Sequence, residues 1–167
     1  MRYDAATAGK MTKDQFVARF GGVYEHSPWV AEGVWPLAAA GGLGTAEVMA
    51  REMRVVVEAA SREMKLALIR AHPELAGRAR MADASVREQA GAGLDQCSPQ
   101  EFAAFQRLNG AYNARFGFPF IVAVKGMSRA DILAAFEARL ANDPETEFEA
   151  AMEQIHRIAG FRLADLL

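Results

Sequence analysis

Two short polar clusters carry the side chains best suited to chemistry: His72-Pro73-Glu74-Leu75-Ala76-Gly77 and Ser85-Val86-Arg87-Glu88-Gln89-Ala90-Gly91-Ala92-Gly93-Leu94. A third segment, Phe116-Gly117-Phe118-Pro119-Phe120-Ile121-Val122-Ala123-Val124-Lys125-Gly126, is apolar and reads as extended. An imidazole changes charge near neutral pH and is the usual acid or base of enzyme catalysis. A carboxylate and an amide can orient a polar ligand. An extended strip presents backbone N–H and C=O groups at fixed spacing, which suits a flat heterocycle with amide-like edges. These are the parts of a small-molecule site, and a helical fold does not need them for its own stability.

Each part has a purely structural alternative. His72 follows a helix and could serve only the negative end of its dipole. Ser85, Glu88 and Gln89 fall at i, i+3 and i+4 and share one helix face, yet Ser-x-x-Glu is also a capping box. Against capping alone, Gln89 adds a second polar group to that face, and Gly91 and Gly93 make a poor helix to cap so carefully. Those glycines also permit close approach of backbone or ligand. The Gly117 to Gly126 strip could be a buried connector, with Phe118 and Phe120 either core or pocket wall. His26, before a helix cap, and His156, beside Glu153 and Arg157, read as surface or satisfied structural histidines. Cys97 has no predicted base beside it and reads as a small buried hydrophobe.

Helices must position these groups. Thr12 with Gln15 is a capping box for a helix carrying Phe16, Val17 and Phe20, stopped by Gly21-Gly22. Ser27-Pro28 reads as an N-cap with proline at the first position of a helix carrying Trp29 and Trp35, limited by Pro36 and Gly41-Gly42. Thr45 should cap the longest helix, with Met49, Met53, Val56, Val57, Ala60, Met64, Ala67 and Leu68 on one buried stripe. It must end near His72, because Pro73 disfavours the α conformation before it. Ser98-Pro99-Gln100-Glu101 opens a helix carrying Phe102, Phe105, Leu108, Tyr112 and Phe116. Ser128 opens another, with Ile132, Leu133, Phe136 and Leu140. A last helix from about Pro144 carries Phe148, Met152, Ile155, Ile158 and Ala159. Only Phe120 to Val124 is strand-like, and one short run cannot build a sheet. The expected fold is all-α: a single-domain helical bundle over residues 11–167, crossed by one extended segment, after an N-terminal tail of residues 1–10.

The totals narrow the function. A chain of 167 residues, 51% hydrophobic, can bury one sizeable core. Its net charge of −2 leaves no electrostatic footprint for nucleic acid or an anionic membrane. The lone cysteine cannot form an internal disulfide. No Cys/His spacing resembles a zinc site, so no metal is expected. Met1 to Lys10 lacks the apolar run of a secretory signal, no stretch is long and apolar enough to span a membrane, and Ala164-Asp165-Leu166-Leu167 is not a peroxisomal address. The expected location is cytoplasmic.

With these residues laid out, the sequence resembles the 2-oxo-4-hydroxy-4-carboxy-5-ureidoimidazoline (OHCU) decarboxylases of urate degradation. The resemblance runs from about Met11 to Leu167. It rests on Phe20-Gly21-Gly22-Val23-Tyr24-Glu25-His26-Ser27-Pro28-Trp29-Val30, His72-Pro73-Glu74-Leu75-Ala76-Gly77, Ser85-x-x-Glu88-Gln89-x-x-x-Gly93-Leu94 and Leu108-Asn109-x-x-Tyr112-x-x-x-Phe116-Gly117-Phe118-Pro119-Phe120. It implies an all-helical, homodimeric, cofactor-free enzyme that removes CO2 from OHCU and releases (S)-allantoin. The family's catalytic histidine falls on His72. Its substrate contacts fall on Pro73, on Ser85, Val86, Arg87, Glu88 and Gln89, and on Phe120, Ile121, Val122, Ala123 and Val124. On this reading Glu88 holds His72 and should raise its pKa. Two rivals remain at this stage: a related enzyme for another ureido or hydantoin-like acid, and a non-catalytic helical interaction module in which Ser85 and Glu88 only cap.

Overall fold

A computed structural model describes residues 5–77 and 83–167; the first residues of the N-terminal tail lie outside them. Among the described residues there are eight α-helices and no strand. The expected all-α class holds. The chain forms two compact units, Met1–Leu68 with His156–Leu167, and Ile69–Ile155, the division falling inside two helices.

The first unit opens with a 3-10 turn, Ala5–Lys10, whose Ala8 is fully buried. Helix α1 (Lys13–Phe20) begins with the expected capping box between Thr12 and Gln15 and buries Phe16 and Phe20. Helix α2 (Trp29–Ala39) starts one residue later than expected, because the Ser27 hydroxyl donates to the carbonyl of Glu25 (2.9 Å) and caps nothing. Pro36 sits inside α2 and does not end it.

Helix α3 (Ala46–Glu58) is capped by Thr45, as expected. The single long helix to His72 is not formed. Ala59 ends α3, and a new helix, α4 (Arg62–Ala71), begins after Ser61, whose hydroxyl accepts from Met64 N–H (3.2 Å). A serine side chain that satisfies a backbone donor offers the chain a restart in place of continuation. The apolar stripe breaks with it: Met49, Met53, Val57 and Leu68 are buried, whereas Met64 and Ala67 are exposed.

In the second unit, helix α5 (Asp83–Gly91) leads through Gly93 to a 3-10 turn at Leu94–Gln96. Gly93 takes φ +78°, and a Cβ there would lie 2.8 Å from the Arg129 guanidinium. The φ is what calls for glycine here, since the guanidinium is the far end of a flexible side chain that can move aside. Helix α6 (Pro99–Phe116) has the Ser98/Glu101 capping box and ends on Gly117 at φ +75°. Helix α7 (Arg129–Leu140) is capped by Ser128 with Asp131, and α8 (Pro144–Leu166) follows.

Residues 119–124 belong to neither a helix nor a strand and link α6 to the turn before α7. Phe118, Phe120, Ile121 and Val124 are buried. Phe120 stacks on Phe136 (4.0 Å, 11°), and both meet Tyr112 edge-on.

Candidate active site

His72 is the first residue past α4. Its N–H bonds to the carbonyl of Ile69 (3.2 Å), and its side chain is 8% exposed. Proline at 73 forces the chain out of the helix here. Arg70, two residues before His72, donates through Nε to the carbonyl of Gly117 (3.1 Å), which ties the end of α4 to the end of α6.

The capping alternative for Ser85 is overturned. Ser85 is the third residue of α5, helical and 4% exposed, so it is not the N-cap residue that a Ser-x-x-Glu capping box requires. Gln89 is also buried and Glu88 half-buried, while Val86 and Arg87 lie on the outer, exposed face. An i, i+3, i+4 polar face turned inward is the arrangement a ligand or a buried polar loop requires. Gln89 meets such a loop: its Oε1 accepts from Ala76 N–H (3.0 Å) and its Nε2 donates to the carbonyl of Glu74 (3.2 Å). The Ser85–Gln89 face is thereby joined to the segment that leaves His72.

The extended strip is anchored by charge. Arg139 donates through Nη1 to the carbonyl of Ile121, and its guanidinium lies 4.5 Å from the Phe120 ring centre. Arg139 also binds the fully buried Glu147 (Nη2 2.9 Å, Nε 3.1 Å), which accepts in turn from the Tyr112 hydroxyl and from Asn142 Nδ2 (2.9 Å). Burial, with the Glu147 bond, pushes the Tyr112 phenol far above its ordinary range, so it stays a proton donor. Ala123 N–H donates to Gln154 Oε1 (2.9 Å). Phe118 and Phe120 belong to the aromatic core, and the backbone after them, at Ile121 and Ala123, is held from α7 and α8. Sequence reasoning missed Arg139 and Glu147; their one signal was a charge standing beside the apolar stripes of α7 and α8.

The remaining candidates are structural. His26 is exposed, whereas His156 is buried with Nδ1 on the Tyr24 hydroxyl (2.8 Å) and Nε2 on Glu58 (2.7 Å). Glu25 and Arg162, both buried and 2.7 Å apart, fix the Gly22–Glu25 turn, since Arg162 also donates to the carbonyl of Gly22. Burial, then the nearby Glu101 charge, pushes the Cys97 thiol up, away from a reactive thiolate. Among the described residues no group of His, Cys, Asp and Glu is arranged to hold a metal ion, and no helix is long and apolar enough to cross a membrane.

Ser85 and Gln89, both buried, and the half-buried Glu88 thus share one face of α5, and Gln89 ties that face to the loop that follows His72. The comparisons give the family: residues 9–164 match the model of the OHCU decarboxylases, and the chain belongs to that family. It is 45% identical over 156 residues to the 2-oxo-4-hydroxy-4-carboxy-5-ureidoimidazoline decarboxylase of Haloferax volcanii, covering 93% of this chain and 91% of that one. It is 47% identical over 147 residues to the uric acid degradation bifunctional protein of Bacillus subtilis, covering 88% of this chain and 29% of that one. A crystal structure of (S)-allantoin synthase superposes with a TM-score of 0.82 at 32% identity, covering 99% of this chain and 54% of that one.

Proposed function

We propose that this protein is a carboxy-lyase of urate degradation that converts OHCU to (S)-allantoin and CO2. The family supports the reaction. The observation that carries the site is the inward polar face of α5, Ser85, Glu88 and Gln89, joined to the loop that leaves His72.

Decarboxylation breaks the bond between the ring carbon and its carboxylate, and the electron pair left behind needs a sink. OHCU carries one, because the adjacent ring C=N can accept the pair and give an enamine-like intermediate. The protein's share is to turn the carboxylate out of the ring plane, to stabilise developing charge and to move protons. His72 is the acid/base that attends the reacting face. Glu88 orients it and the ureido or ring N–H groups. Ser85, Pro73, the backbone around Val86 and Arg87, and the Phe120–Val124 strip hold the heterocycle. No cofactor is required, and the enzyme works as a cytoplasmic homodimer.

The test is a direct assay on freshly generated OHCU. Enzyme-dependent loss of OHCU with stoichiometric CO2 supports the reading. Turnover of another ureido acid with OHCU untouched would replace it.

A further inference from the structure

Beyond Gln89, three further carboxamides reach the same short loop. Asn109, on α6 and 3% exposed, donates through Nδ2 to the carbonyl of Leu75 (2.9 Å). Asn113, one turn on, donates to Glu74 Oε1 (2.6 Å). The exposed Gln106 donates to the carbonyl of Ala76 (3.3 Å). Each of the three residues from Glu74 to Ala76 thus has a main-chain group held by a side chain of α5 or α6.

Ala76 explains why so much holding is needed. Its φ is +53°, in the left-handed region that residues with a Cβ rarely adopt. Such a conformation persists only where the surroundings dictate it, and here the N–H and the C=O of the same residue are both taken by side chains. A single glutamine amide spans the acceptor of Glu74 and the donor of Ala76 because it carries one donor and one acceptor side by side. Asn109 makes the same point from its cost. Its Oδ1 is buried without a hydrogen-bond partner, which is unfavourable. A leucine of similar size would avoid that cost, so the position is explained by what Nδ2 does for the loop.

We propose that Gln89 and Asn109 are positioning residues for His72: they fix the Glu74–Ala76 turn, and thereby the point and direction in which α4 releases the imidazole. This rests on the reading of His72 as the acid/base, and it assigns Asn109 and Asn113 a part in that site.

Three single variants and one double variant test it: Gln89→Ala, Asn109→Leu, the mild Gln106→Ala, and Gln89→Ala with Ala76→Gly. Misplacing a catalytic group by about 1 Å can cost on the order of 100-fold. Gln89→Ala and Asn109→Leu should therefore lower kcat by tenfold or more with KM nearly unchanged, and Gln106→Ala should do so weakly. Asn109→Leu should do this without lowering Tm. Adding Ala76→Gly to Gln89→Ala should recover part of kcat, because glycine holds φ +53° without help and cannot replace a lost substrate contact. The His72 ring resonances in a 1H–13C spectrum give a readout independent of turnover: they should shift in both variants while those of His26 stay in place. A raised KM at wild-type kcat in Gln89→Ala would make it a substrate contact and overturn the proposal. Unmoved His72 resonances in both variants would overturn it too. Absence of OHCU turnover in the wild type, with the His72 resonances still moving, would refute the functional reading alone.

Discussion

Glu147 is fully buried and takes two hydrogen bonds from the guanidinium of Arg139, at 2.9 and 3.1 Å, in the aromatic core of the second unit. The same guanidinium holds the Ile121 carbonyl, so one buried ion pair keeps the extended strip in place. Removing one partner of such a pair leaves an uncompensated charge and costs about 3–5 kcal/mol. Glu147→Gln should lose stability on that scale in urea unfolding. The double variant Glu147→Leu/Arg139→Leu should lose less than the single one. Equal or larger loss in the double variant would show that the pair's charge is not what matters.

His72→Asn is expected to keep the helical circular dichroism of the wild type and to lose ~10²–10⁴-fold in rate, the usual scale of acid/base loss. A folded His72→Asn with near-normal turnover would remove the residue from the mechanism.

Glu88 is the sixth residue of α5, so Glu88→Gln is not a change at the third position of a capping box. The substitution should change Tm little and cut turnover heavily. A lowered Tm with normal turnover would give Glu88 a structural role.

The capping boxes of Thr12 and Ser98 were legible because a box is a local contract: donors and acceptors three residues apart determine it whatever else the chain does. Gly117 was legible for the same reason, and its +75° φ confirms why a glycine stands there. The break between α3 and α4 was not. Ser61 lies within an apolar period that both helices share, and periodicity does not register a restart in phase. Ser85 stayed open between two readings, since a capping-box pattern inside a helix is indistinguishable in sequence from one at its start. The site's candidates, His72, Ser85, Glu88 and Gln89, were visible as a titratable or polar cluster at helical spacing, each with a structural alternative beside it. The Glu74–Ala76 tether was not, because its acceptors are main-chain carbonyls that any sequence supplies.

Glu58 offers a pH test of the first unit. Burial pushes its carboxyl up, but the hydrogen bond and charge of His156, with Lys65 and Arg54, outweigh that and hold it below the ordinary value. A carboxyl depressed in the folded state stabilises the fold above its unfolded pKa and loses that contribution as pH falls through the folded one. The Tm advantage of wild type over Glu58→Gln should be complete at neutral pH and fade below about pH 4. A gap that grows on acidification would contradict the assignment.

The most direct test of the account is the handedness of the product. The enamine left by CO2 loss is nearly planar at the carbon to be protonated, and water reaches both faces, so uncatalysed decay gives racemic allantoin. A rigid pocket that presents one face to a fixed acid should deliver one hand. Following freshly generated OHCU by circular dichroism, the account predicts a growing signal of (S)-allantoin with enzyme and none without it. Rapid OHCU loss with optically inactive product would contradict it: the intermediate would then escape before protonation, and His72 would not be the proton donor.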